Sequence, residues 1–213
     1  MSSTENSIII DAIERSAIKA FYSYYEMTDG EWILYTPEYW YTSHIALGIK
    51  KKLPKFSVYL ENDVSEIRSS SGPKLGRPSK RLSRGRADVS IWKYIASNDT
   101  WKARSSIEVK RAWNWDAKTL GDDIDRLAGF INETSLTNVY FVILSDEENK
   151  KNSAKKLLKK RCKDFHDKIQ IHIDKQNLKI RADRSYKISK KLDESRAAVF
   201  VYTLSSDGRR GKR

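Results

Sequence analysis

The stretch RADVSIWKYIASNDTWKARSSIEVKRAW (Arg86–Trp113) decides the fold. Over Ala87–Tyr94, Val89 and Ile91 fall on one face of a strand and Asp88, Ser90 and Trp92 on the other, because successive strand side chains alternate. Ser105–Ala112 alternates as well, with Ile107 and Val109 facing one way and Ser106, Glu108 and Lys110 the other. Asn98 and Asp99 supply turn chemistry between the two runs, so the segment reads as a hairpin. Paired in that way, it presents Asp88, Glu108 and Lys110 on one surface. Two carboxylates beside one ammonium repel each other unless something offsets them. A divalent metal does so, and a hard cation such as Mg²⁺ takes oxygen ligands.

Upstream, Lys55–Glu61 alternates Phe56, Val58 and Leu60 against Ser57, Tyr59 and Glu61 and predicts a first core strand. Before it, Thr36-Pro37-Glu38 opens a helix running to about Leu53: Thr36 suits the N-cap, Pro37 the first helical position, and Glu38 the first turn, where the dipole favours a carboxylate. Ser7–Met27 carries Ile9, Ile10, Ile13, Ala17, Ala20, Phe21 and Tyr24 at helical spacing, stopped by Thr28-Asp29-Gly30. Glu31–Tyr35 reads as a short strand or link.

Between the first core strand and the hairpin lies residues 63–86, a stretch of different composition. Ser69-Ser70-Ser71-Gly72-Pro73 is flexible, and the segment from Lys74 to Arg86 is basic, lacks carboxylates and offers little to bury. It is expected to be an exposed arm ending beside Asp88, with Lys74, Arg77, Lys80, Arg81, Arg84 and Arg86 tracking phosphates. Gly76-Arg77-Pro78 with Lys80 and Arg81 resembles an AT-hook core, which would lie in an A·T-rich minor groove.

Downstream, Asp116–Glu133 predicts a helix with a Leu120, Ile124, Leu127, Ala128, Ile131 stripe and an acidic surface of Asp122, Asp123 and Asp125 near its start. Thr137–Ser145 is almost wholly apolar, as a central strand covered on both faces should be, and lies parallel to the Glu108 strand across the intervening helix. Asn149–Phe165 predicts a helix with Ala154, Leu157, Leu158, Cys162 and Phe165 inward and Lys155, Lys156, Lys159, Lys160 and Lys163 outward, a solvated face that could also meet DNA. Lys168–Ser189 predicts one or two short strands (QIHI, LKIRA, YKIS), with His172 at a surface or an edge. Ala197–Leu204 reads as a last buried strand, and 205–213 as a basic tail.

The 213 residues suit a single domain over 1–204, and six Trp and eleven Tyr in 39% hydrophobic content argue against general disorder. A net charge of +13 points to a polyanion, for which nucleic acid is the natural partner. No signal peptide and no run of about 18 apolar residues is seen, so no membrane association and a cytoplasmic setting are expected. The single Cys162 excludes an internal disulfide and a cysteine-based zinc cluster. No Gly-rich GKT/S loop is present, so an ATP-driven step would belong to another protein.

Asp88 followed about twenty residues later by Glu108-Val109-Lys110, with an amphipathic helix directly after, resembles the core of the PD-(D/E)XK nuclease superfamily, although Ala87 stands where that family often has proline. The resemblance implies an α/β fold with the restriction-endonuclease-like α-βββ-α-β core, a mixed central sheet flanked by helices, here with an extra N-terminal helix and C-terminal strands. It implies that Asp88 and Glu108, with the Val109 carbonyl, ligate Mg²⁺ (Mn²⁺ as substitute), and that Lys110 stabilises the attacking hydroxide. Glu38 matches the acidic residue such proteins often carry on the preceding helix, with Glu14 as the fallback. Asp123-Ile-Asp-Arg-Leu127 is similar to a segment found after the Glu-x-Lys strand in some branches. The expected function is Mg²⁺-dependent endonucleolytic hydrolysis of DNA. The alternatives are a catalytically inactive DNA-binding module and a nuclease subunit working with a protein partner in a defence or recombination complex. Double-strand cleavage would favour a symmetric homodimer.

Overall fold

Strand β4 (Asn138–Glu148) shows why the chain folds as it does. Val139, Phe141 and Ile143 are buried on one side of it and Tyr140, Val142 and Leu144 on the other. A strand apolar on both faces needs a helical layer above and below. The computed structural model, which describes residues 2–31, 35–74, 79, 82–111, 117–148, 153–176, 178, 180–190 and 195–206, supplies both.

The elements run α1 (Ser3–Met27), α2 (Glu38–Lys52), β1 (Phe56–Asp63), α3 (Val64–Ser70), β2 (Arg86–Ile95), β3 (Thr100–Arg111), α4 (Ala117–Glu133), β4, α5 (Ala154–Lys175), β5 (Ile180–Ile188) and β6 (Ser195–Ser206). Six strands form one mixed sheet in the order β1-β2-β3-β4-β6-β5. β1, β2 and β3 are successively antiparallel, β3 and β4 are parallel, and β6 is antiparallel to both β4 and β5. The chain is thus an α/β protein with a mixed sheet flanked by helices, and the element order expected around the hairpin is present.

Helices α1 and α2 cover one face. Ile9, Ile13, Phe21, Tyr41, Ile45 and Ile49 pack on Val89, Ile107, Val109 and Val142. Gly48 lets the two helices approach, since a Cβ there would overlap the Ser16 hydroxyl. Helices α3, α4 and α5 cover the other face, where Ile67, Ile124, Leu127, Leu158 and Ile169 meet Phe141, Ile143 and Phe200. Each such side chain contributes about 1.5–3 kcal/mol on burial. Among the described residues no helix is long and apolar enough to cross a membrane.

Several expectations need correction. Residues 63–86 are not wholly an open arm. Asp63 accepts a hydrogen bond from the Ser65 N–H and caps α3, whose Val64 and Ile67 are fully buried, as is Leu82 against α4. Three apolar residues spaced through a polar stretch thus anchor its described parts. The QIHI segment is not a strand either, because α5 continues through it to Lys175 with Ile169 and Ile173 buried four apart and Ile171 exposed. Leu157 lies at the exposed margin of α5 rather than inside. The LKIRA and YKIS segments merge into the one strand β5. Thr36 is not the cap of α2, which starts at Glu38 behind Pro37 with no side-chain cap; the buried Thr36 instead offers its carbonyl to Arg111 Nη1 at 2.9 Å. Glu31–Tyr35 falls largely outside the described residues, as does the 205–213 tail beyond Ser206.

Candidate active site

The β2–β3 ladder ends at Val89↔Ile107. Beyond it β3 continues with β4 alone, through Arg111↔Leu144, and β2 with β1, through Ala87↔Asn62. Asp88 and Glu108 are the next residue on each strand, so both stand where the sheet forks. β2 is distorted there. Ala87 packs toward α3–α5 and Val89 toward α1–α2, although residues two apart on a regular strand share a face. In the neighbouring strand Glu61, skipped by the β1–β2 pairing, has φ +52°. A non-glycine residue in the left-handed region stores strain of the kind that gathers at functional sites.

Asp88 replaces the missing strand partner: its Oδ2 accepts the Val109 N–H at 2.7 Å. A residue's N–H and C=O leave a strand on the same side, so the Val109 carbonyl also points into the fork. Lys110 Nζ lies 3.3 Å from Glu38 Oε1, 3.5 Å from Asp88 Oδ2 and 3.9 Å from Glu108 Oε2. The four predicted site residues, from α2, β2 and β3, therefore meet around one ammonium. Arg111, next along β3, holds the entry to α2 through the Thr36 carbonyl and so keeps Glu38 in place.

Two further residues close the cluster from α4. Arg126 Nη2 is 2.9 Å from Glu108 Oε2 and 2.7 Å from Asp123 Oδ1. Glu108, 1% exposed, is thus held by Arg126 through Oε2, while its Oε1 has no hydrogen-bond partner among the described residues. Asp123 and Asp125 do not form the expected acidic surface; both are buried, the first against Arg126 and the second against His172 Nε2 at 2.9 Å. His172 is accordingly a helix residue packed on α4, not an edge residue. The signal for Asp123 was in the stripe itself: it lies three residues after Leu120 and four before Leu127, on the inward side of α4.

Among the described residues four carboxyl groups (Glu38, Asp88, Glu108, Asp123) thus crowd around Lys110 and Arg126, and Arg111 also acts on Glu38. Burial, reinforced by Asp88, pushes the Glu108 carboxyl up to about 8 against the opposing pull of Arg126 and Lys110. Burial also raises Glu38, opposed by Lys110, and raises Asp123, opposed by Lys110 and Arg126. For Lys110 burial works downward, but Asp88, Glu38 and Glu108 together outweigh it and hold the ammonium above its ordinary value. The acids, not the lysine, carry the cluster's unrelieved cost.

The remaining sequence candidates lie elsewhere or outside the described residues. Glu14 accepts from the Ser185 hydroxyl of β5, at the far edge of the sheet, and is no substitute for Glu38. Lys74 caps the C-terminal end of α4, its Nζ donating to the Asn132 carbonyl at 2.8 Å and its N–H to the Glu133 carbonyl; a cation is favoured there by the helix dipole. Arg86 and Arg84 are exposed just before Asp88. Arg77, Lys80 and Arg81, with the Gly76-Arg77-Pro78 motif, lie outside the described residues.

Among the described residues no three His, Cys, Asp or Glu side chains converge as a ready-made metal cage. The chain matches no family model, no curated protein and no solved structure.

Proposed function

We propose that the chain is a Mg²⁺-dependent endonuclease that hydrolyses phosphodiester bonds in DNA on a restriction-endonuclease-like fold of the PD-(D/E)XK type. The observation that carries this reading is the convergence of Asp88, Glu38 and the buried Glu108, whose carboxyl is pushed up to about 8, around Lys110 at the fork. The donor set fits a divalent cation. Mg²⁺ keeps most of its waters and binds through one or two carboxylates plus substrate oxygens, so a three-carboxylate cage is not needed. Asp88, Glu108 and the Val109 carbonyl would hold it, with Glu38 at the margin. When bound, the metal supplies positive charge to the scissile phosphate and acidifies water.

The chain's own residues do the rest. Lys110 remains charged among three acids, and its Nζ is placed to stabilise a hydroxide nucleophile and the charge growing on the phosphoryl oxygens. Asp88 is held by the Val109 N–H, which fixes its carboxylate without consuming its second oxygen. Arg126 and Asp123 orient Glu108 from behind. The test is linearisation of supercoiled plasmid with Mg²⁺ by the wild type, Asp88→Ala and Lys110→Ala. Cutting confined to the wild type supports the reading, and equal cutting by all three rejects it.

A second reading is favoured by the contacts of Lys110 and Arg126 with Glu108, which partly neutralise the acids without a metal. The chain would then be a DNA-binding module, or a subunit active only beside a protein partner. It would retard DNA on a gel with steep salt dependence and leave it intact whatever metal is added.

A further inference from the structure

Helix α5 is charged against its own stability. Its first ten residues, Ala154–Lys163, hold six cations (Lys155, Lys156, Lys159, Lys160, Arg161, Lys163) and no acid. All six are exposed, and Ser153 makes no side-chain cap. Lys155 and Lys159, Lys156 and Lys160, and Lys159 and Lys163 are four apart, where like charges repel. The positive end of the helix dipole repels Lys155 and Lys156, in the first turn, again. Among the described residues only Arg161 of the six has a carboxylate partner, Glu147. The three lysines of α2, Lys50–Lys52, stand in contrast in its last turn, where the dipole favours them, and Lys50 donates to the Pro54 and Phe56 carbonyls.

The position of this face is informative. Arg161 Nη1 donates to the Asp146 carbonyl at 2.6 Å and reaches Ser145 Oγ at 3.3 Å. Ser145 and Asp146 follow directly on Ile143 and Leu144, the partners of Lys110 and Arg111 in the parallel β3–β4 ladder. The start of α5 therefore stands at the end of the sheet where β3 carries Lys110 out of the fork. Arg84 and Arg86 enter β2 at that same end, on the other side of the fork. The acidic cluster lies between two basic flanks.

We infer that the first ten residues of α5 form the docking face for the phosphate backbone of duplex DNA on the β4 side of the fork. Six cations over about 15 Å of helix meet a polymer carrying one charge per about 1.7 Å of its axis. The unpaired lysines and the opposed dipole are both relieved when phosphates approach. This rests on the nuclease reading only in calling the DNA a substrate; the docking itself needs neither metal nor cleavage.

The test compares wild type with Lys155→Gln/Lys159→Gln/Lys163→Gln in binding a fluorescent 30-base-pair duplex across a salt series in EDTA. The slope of log K against log salt should fall in magnitude by about 3, at roughly 0.9 per lost phosphate contact. The melting temperature should not drop, because repulsion is removed. A control, Lys51→Gln/Lys52→Gln/Lys55→Gln, should leave the slope unchanged. With Mg²⁺ the α5 variant should raise KM for plasmid while kcat at saturating DNA is kept. An unchanged slope, an equal fall in the control, or a loss confined to anionic phospholipid vesicles overturns the inference. If the slope falls as expected but the wild type never cuts, the nuclease reading fails and the docking face stands.

Discussion

The centre of the sheet and the fork between β2 and β3 are built on opposite rules. In β4 and β6, eleven consecutive pairs run from Asn138↔Ser205 to Glu148↔Ser195, and the residues buried between the helical layers are almost all apolar. At the fork the ladder stops, one neighbouring residue is strained, and four acids crowd around Lys110 and Arg126. The centre is stabilised by what it removes from water. The fork is tolerated because the centre supplies stability in excess. A site that must hold charge away from water can exist only beside a region that gains from excluding it.

That contrast breaks most sharply at Asp88. Asp88→Asn keeps an acceptor for the Val109 N–H but deletes one ligand charge. Cleavage should fall about 10³–10⁴-fold, measured on plasmid with Mg²⁺, while the thermal midpoint changes little. A variant that cuts as well as wild type removes the fork's claim to chemistry. Phe141→Ala is its mirror image. Opposite Glu108 in the β3–β4 ladder and as deeply buried, but apolar, Phe141 on truncation should cost about 3–5 kcal/mol in denaturant unfolding. The cost should be the same with or without Mg²⁺.

Much of the centre was legible in the sequence, and less of the fork. The hairpin, the apolar run of β4 and the α4 stripe follow from period alone, since burial on one or two faces leaves an alternating, helical or continuous pattern. The same rule misread Ile169, Ile171 and Ile173, because an i, i+2, i+4 run fits a strand as well as the flank of a helix; only the spacing back to Cys162 decides. Helix α3 was hidden because Val64 and Ile67 are too few to show a period. The pairing of Glu108 with Lys110 and Asp88 was readable from adjacent strands, and Glu38 from chain order. Arg126 lay within the Asp123–Leu127 segment that the resemblance picked out, but its contact with Glu108 was not readable, since which face of a helix meets which strand end is set by packing rather than by spacing. The insertion of β6 between β4 and β5 is likewise a long-range choice with no local signature.

Glu108 sharpens the comparison more finely. Its carboxyl is raised to about 8, so the folded state holds its proton more tightly than the unfolded chain does. Stability from this group is then complete below the ordinary carboxylate range and is lost as pH rises toward 8. Glu108→Gln should therefore stabilise the chain by about 3–4 kcal/mol more at pH 8 than at pH 5 in EDTA. Urea denaturation at the two pH values checks it. A gain that is the same at both would mean that charge is not the fork's burden.

The smallest effect is the exchange of that proton for a metal. At pH 7 Glu108 is mostly protonated in the metal-free chain, and a carboxylate must ionise to ligate Mg²⁺. Binding should release about one proton per Mg²⁺ at pH 7 and almost none at pH 9, so that the proton weakens apparent affinity by about 1.4 kcal/mol at the lower pH. Calorimetry in two buffers of different ionisation enthalpy reads the proton count directly, and Glu108→Gln should abolish it. A metal that bound at a surface carboxylate of ordinary acidity would release no proton at either pH. The count therefore separates a cation held at Glu108 from one held at an exposed carboxylate, because burial leaves Glu108 still holding its proton at neutral pH.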